Sequence, residues 1–122
     1  MNSEVLDSTV IIDHLNGIAI ATAVIGAAEF PAISIVTWIE VIAGLRDRVS
    51  EANGRRLLAS FDLAVLSEGI AEETVRIRRA RRLKLPDAII LATARQLGCP
   101  LVTRNTKDFP EDDPGIRIPY RL

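Results

Sequence analysis

The sequence predicts an α/β fold of three layers, a mainly parallel sheet of four to five strands flanked by helices. Three observations predict it. Short apolar runs alternate with longer segments of helical period along the chain. Of 122 residues, 48% are apolar and only 4% aromatic, so Ile, Val, Leu and Ala must build the core, as suits a parallel sheet covered by helices. The length fits one domain over residues 1–122, and no repeat, low-complexity stretch or Gly/Ser linker divides it.

Val5 and Leu6 read as the end of a short buried strand. Ser8 and Thr9 can cap a helix running to about Leu15, which Asn16-Gly17 ends. A second helix covers 18–28, Pro31 stops its pattern, and 32–34 reads as the second strand. A long helix is expected over about 35–49 and another over 51–60. The third strand spans 62–66, with Ser67 as N-cap and Glu68 behind it. An arginine-rich helix runs to about Leu83, and Pro86 opens the next, since proline is tolerated in a first turn. Gly98 ends that helix, as C-terminal glycines do. Residues 101–103 form the fourth strand, and 116–118, between Pro114 and Pro119, a short fifth at the edge.

Cys99 is the only cysteine, so no intrachain disulfide can form and a cytoplasmic address is expected. The start, MNSEVLDS, carries acids where a signal peptide has a basic region. No segment approaches the ~20 apolar residues that span a bilayer. The net charge of −1 says nothing about a nucleic-acid partner. Its distribution says more: R-I-R-R-A-R-R-L-K, from Arg76 to Lys84, holds six basic residues in nine. Arg79, Arg82 and Lys84, with Arg104 further on, are candidates for contact with RNA phosphates. The competing reading is a solvated helix face paired with Glu72 and Glu73.

In open parallel sheets ligands sit beyond the carboxyl ends of the strands, so the acids placed there draw attention. Asp7 follows the first strand directly; by itself it reads most simply as an N-cap. Glu40 lies in the apolar run I-V-T-W-I-E-V-I-A-G-L, where Thr37, Glu40 and Gly44 fall within about 60° on a helical wheel. That polar stripe suits either a polar cleft or solvent. Asp87 stands at the start of an apolar helix, where the macrodipole also favours an acid. Asp108 follows the fourth strand in a loop that Thr103 and Asn105 can brace. Carboxylates crowded at one sheet edge repel one another unless protons or a cation neutralise them. A hard divalent cation with oxygen ligands is the usual answer.

V-L-D-S-T-V-I-I-D-H-L-N-G, S-I-V-T-W-I-E-V-I-A-G-L, L-K-L-P-D-A-I-I-L-A-T-A-R-Q-L-G and L-V-T-R-N-T-K-D-F together resemble, in order and across most of the chain, the motifs of VapC-type PIN-domain toxins. The resemblance implies a PIN-like fold and an endoribonuclease dependent on Mg²⁺ or Mn²⁺, the toxin half of a toxin–antitoxin pair. It implies Asp7, Glu40, Asp87 and Asp108 as the acidic residues of the site. Asp7 and Asp87 would be metal ligands, with Glu40 and Asp108 binding directly or through water. Ser8, Thr103 and Asn105 would support them. Some family members carry a further acid near the fourth motif, where this chain has Asn105. A VapB-like antitoxin, a homodimer and an RNA substrate are the implied partners. Apolar helix surface over 18–28 and 35–45 leaves room for protein partners, with Trp38 as a possible anchor or core aromatic.

Metal-free RNA cleavage usually needs two tuned acid–base groups, often histidines. This chain has only His14, read as a surface residue. Metal-assisted hydrolysis, with water attacking in line to leave a 5′-phosphate and a 3′-hydroxyl, is the expected route. Three alternatives compete. A phosphoacceptor signalling domain would need paired acids after the first strand and a lysine near the last, where Ser8 and Arg104 stand. A catalytically inactive PIN-like binding module would lack the acids that are present. An RNA-processing nuclease outside a toxin–antitoxin pair would share the same chemistry.

Overall fold

The computed structural model describes residues 3–122; Met1 and Asn2 of the acidic start lie outside them. The chain alternates as β1 (Ser3–Leu6), α1 (Ser8–Leu15), α2 (Ala19–Ala27), β2 (Phe30–Ser34), α3 (Ile35–Gly44) and α4 (Arg48–Leu58). It continues as β3 (Asp62–Ala64), α5 (Glu68–Ala80), α6 (Leu85–Leu97), β4 (Leu101–Val102) and β5 (Ile116–Arg117). These strands form one sheet in the order β3-β2-β1-β4-β5, with every pairing parallel. The expected α/β class and parallel sheet are therefore observed.

Strand side chains alternate between faces, and the alternation builds the layers. Val5, Ala32 and Leu101 point into a core closed by Ile70 and Ile77 of α5 and Ala88, Leu91 and Ala92 of α6. Their neighbours Leu6, Ile33 and Val102 point the other way, onto Val10 and Ile11 of α1, Ala21 of α2, Val41 of α3 and Leu58 of α4. Burial on both faces explains why the strands read as apolar runs rather than alternating ones. No helix among the described residues is long and apolar enough to cross a membrane.

Several boundaries differ from the sequence reading. The helix expected over 35–49 stops at Gly44, and α4 starts at Arg48. Asp47 causes the restart: its carboxylate accepts the Ser50 backbone N–H at 2.8 Å, a strong N-cap that the sequence reading placed inside a helix. Helix α5 ends at Ala80 rather than Leu83, because Arg78 Nη1 turns onto the Leu83 carbonyl, 2.6 Å away, and stabilises a bend there. Pro31 lies within β2 instead of preceding it; β3 pairs with β2 only from Ala32 onward, so that side of β2 is still an edge at Pro31. The Ser67 cap on α5 and the left-handed Gly98 (φ 67°) after α6 appear where the sequence placed them.

Candidate metal-assisted active site

The sheet order puts β1 between β2 and β4, so the residues that follow β1 and β4 emerge side by side. The Asp7 backbone N–H bonds the Val102 carbonyl at 2.9 Å, which carries the strand pairing to the doorstep of the site. Asp7 occupies the N-cap position of α1 but makes no side-chain cap, against the simplest reading of it. Its Oδ2 instead accepts the hydroxyls of Thr9 (2.8 Å) and Thr103 (2.7 Å). Asp7 is only 2% exposed, and its Oδ1 has no protein partner among the described residues.

Asp7, Glu40, Asp87 and Asp108 line a single cavity of about 240 Å³. Ser8, Thr9, Lys84, Pro86 and Asn105 complete its wall. The elements contribute by simple local rules. Glu40 extends from α3, a helix that begins on the Ser34 cap, and lies one turn from the buried Thr37. Asp87 stands in the first turn of α6, after the proline that opens it. Asp108 is held by an Asn105 clasp: Asn105 Nδ2 donates to Asp108 Oδ2 at 2.9 Å, and the Asp108 N–H donates to Asn105 Oδ1 at 3.1 Å. Thr103, wholly buried, lies behind the cavity and braces both Asp7 and the Asn105 N–H.

The electrostatics show that the acids share one field. Burial, then the charges of Asp7, Asp108 and Glu40, push the Asp87 carboxyl up to about 6, and Lys84 opposes them. Burial also raises Glu40, offset by a hydrogen bond from Ser8 and reinforced by the charge of Asp7. Such mutual repulsion is what a bound cation relieves. Among the described residues, no three His, Cys, Asp or Glu side chains are gathered tightly enough to hold an ion unaided. The donors present are carboxylates and hydroxyls, hard oxygen ligands. They fit a cation such as Mg²⁺, which takes one or two carboxylates and keeps several waters.

The basic candidates separate. Lys84 borders the acidic cavity, Arg82 lines a neighbouring one, and Arg79 is exposed on α5 and lines neither. Arg104 forms a fork with Asp13, Nε to Oδ2 at 2.7 Å and Nη2 to Oδ1 at 2.9 Å. Tyr120 adds its hydroxyl to Asp13 Oδ2 at 2.7 Å. Burial alone would raise the Asp13 carboxyl, but the Arg104 and Tyr120 hydrogen bonds and the Arg104 charge hold it below its ordinary value. The Arg104 N–H reaches Thr9 Oγ1 at 3.3 Å, so this buried network abuts the Asp7 side of the site. The sequence reading missed Asp13 and Tyr120. A signal existed for Asp13: it lies three residues after Val10 and so on the buried face of α1. His14 is half-buried, and its Nδ1 lies 2.7 Å from Thr22 Oγ1, away from the acids.

A larger cavity, about 550 Å³, lies elsewhere, at the amino ends of the strands beside Ser3, Glu4, Pro100 and Arg117. It holds none of the four candidate acids, and in parallel sheets the carboxyl ends are where ligands bind.

Comparison with known proteins supplies an independent measure. A family model described as PIN domain matches residues 5–111. A chain of a toxin–antitoxin complex from Klebsiella pneumoniae superposes with a TM-score of 0.91 at 40% identity, covering 98% of this chain and 99% of that one. A chain of FitAcB from Neisseria gonorrhoeae gives a TM-score of 0.77 at 22% identity, over 95% and 97% of the two chains. One from DNA-bound VapBC of Salmonella typhimurium gives 0.76 at 22%, over 99% and 98%. At that identity the last two show a shared fold. No curated protein matches in sequence.

Proposed function

The chain belongs to the PIN-domain family, and on that premise we propose that it is a divalent-metal-dependent endoribonuclease, the VapC-like toxin of a toxin–antitoxin pair. The observation that carries the reading is the convergence of Asp7, Glu40, Asp87 and Asp108 on one cavity at the carboxyl ends of β1 and β4. The likeness to a chain of a toxin–antitoxin complex supports the toxin role and a VapB-like antitoxin partner. The proposal takes residues 1–122 as one PIN domain, working as a homodimer in the cytoplasm, where a lone thiol such as Cys99 persists.

Asp7 and Asp87 are the assigned ligands of Mg²⁺ or Mn²⁺, with Glu40 and Asp108 completing the shell or orienting water. When bound, the cation supplies Lewis acidity toward the phosphodiester and lowers the pKa of water. The protein groups do the positioning. Thr9 and Thr103 pin one oxygen of Asp7 and leave the other for a ligand. Asn105 does the same for Asp108. Glu40, which accepts a hydrogen bond from Ser8, is the group assigned to take a proton from the attacking water and to orient it. Attack by water on phosphorus, with the 3′-oxygen leaving, gives a 5′-phosphate and a 3′-hydroxyl.

The test is cleavage of RNA in Mn²⁺ by wild type and Asp7→Asn, purified in parallel to exclude contaminating nuclease. The variant is expected to stay folded and lose cleavage. Full activity in the variant would overturn the assignment.

A further inference from the structure

A second cavity of about 430 Å³ adjoins the acidic one and shares Lys84 with it. It forms where α5 ends at Ala80 and the chain turns into α6 at Leu85. Arg78, Arg81, Arg82, Leu83 and Lys84 line it, and no acid does. Two of its guanidinium groups are anchored: Arg78 on the Leu83 carbonyl, and Arg81 Nη2 on Asp113 at 3.0 Å. Anchoring removes much of the side-chain entropy an arginine would lose on gripping an anion.

Two further observations point to a missing anion. Arg81 Nη1 is buried and has no hydrogen-bond partner, a state that costs stability until an acceptor arrives. Arg82 and Lys84 take part in no ion pair among the described residues.

We infer that this cavity binds a phosphate of a nucleic-acid strand, next to the phosphate cleaved at the acidic site. The identity of the anion rests on the nuclease reading; the cation-lined cavity does not. A strand crossing Lys84 passes from a pocket of arginines to the carboxylate cavity without leaving the surface. The acidic cavity repels phosphate when no cation is bound, so the arginines provide the attraction that holds the strand there. Arginine forks also suit phosphate oxygens, which accept two parallel N–H bonds.

The experiment measures binding of a fluorescein-labelled oligouridylate to the full chain by anisotropy in EDTA, across a salt series. Cleavage is then off, so the result does not depend on the nuclease reading. Arg82→Gln is expected to weaken binding and to reduce the slope of log K against log salt by about 0.7, the value for one phosphate contact on a single strand. Arg56→Gln, which removes the same charge from α4 outside both cavities, is expected to leave the slope unchanged. An unchanged slope in Arg82→Gln, an equal fall in Arg56→Gln, or displacement of the RNA by oligoglutamate at lower concentration than by unlabelled oligouridylate would each overturn the inference. A wild type that binds RNA with the expected slope but fails to cut it in Mn²⁺ would overturn the proposed function instead.

Discussion

Thr103, just past β4, donates its hydroxyl to Asp7 Oδ2, just past β1, across 2.7 Å and 96 positions of sequence. The bond lies in the interior, and Thr9 shares the same oxygen. It ties the two strand ends that carry the site and fixes the rotamer of its most buried acid.

Thr103→Val keeps the shape and removes that donor. Asp7 keeps Thr9, so folding should survive at a cost of about 1–3 kcal/mol in urea unfolding, while the Asn105 N–H also loses its acceptor. Mn²⁺-dependent cleavage should fall tenfold or more, and Thr103→Ser should restore most of it. Wild-type rates in Thr103→Val would mean that Asp7 needs no such brace.

Asp87→Asn removes one of the four repelling charges. A group whose folded pKa is raised favours the folded state at low pH and loses that advantage as pH rises through the folded value, here about 6. At pH 7 the wild-type protein without metal therefore carries the full repulsion, and Asp87→Asn should melt higher than wild type in EDTA. Mn²⁺ at a hundred times its Kd should stabilise wild type by about 2.7 kcal/mol and the variant far less. Equal metal-induced shifts in the two proteins would remove Asp87 from the ligand set.

Glu40→Gln retains size and hydrogen-bonding capacity but cannot take a proton. Loss of a positioned proton acceptor typically lowers the rate about 10²- to 10⁴-fold. Single-turnover cleavage should show a fall of at least a hundredfold with RNA affinity retained. A fall in affinity at an unchanged rate constant would reassign Glu40 to binding.

Tyr120→Phe tests the Asp13 network. The lost hydroxyl bonds a buried carboxylate, so unfolding at neutral pH should become easier by about 1.5–3 kcal/mol. Asp13 is held below its ordinary value of 3.8, so its stabilisation is complete above that pH and is lost as pH falls through the folded value. Removing Tyr120's hydroxyl raises Asp13 toward 3.8, so acid unfolding followed by circular dichroism should begin at a higher pH than in wild type.

Much of this architecture was legible because it depends on near neighbours. The Ser67 cap, the proline at the start of α6 and the left-handed Gly98 each act within one helical turn. The four candidate acids were legible through their motifs, and Asp7 and Asp108 also through their places beyond strand ends. The position of the break before α4 was not, because the sequence reading ended one helix at 49 and began the next at 51, whereas the Asp47 cap restarts the helix at Arg48. Arg104 stood in a basic-looking motif, yet its partner is Asp13 on α1, 91 positions away.

Local periodicity and capping were enough to set most elements and their order, since those preferences are settled over a few residues, while the four candidate acids were singled out by the resemblance of their motifs. Strand order, the joining of Asp7 to Thr103 and the sorting of the arginines were settled only by the folded chain. Burying both faces of the sheet decides which strand ends adjoin. Once charges such as Asp13 are taken from water, they must find partners wherever the packing has brought them.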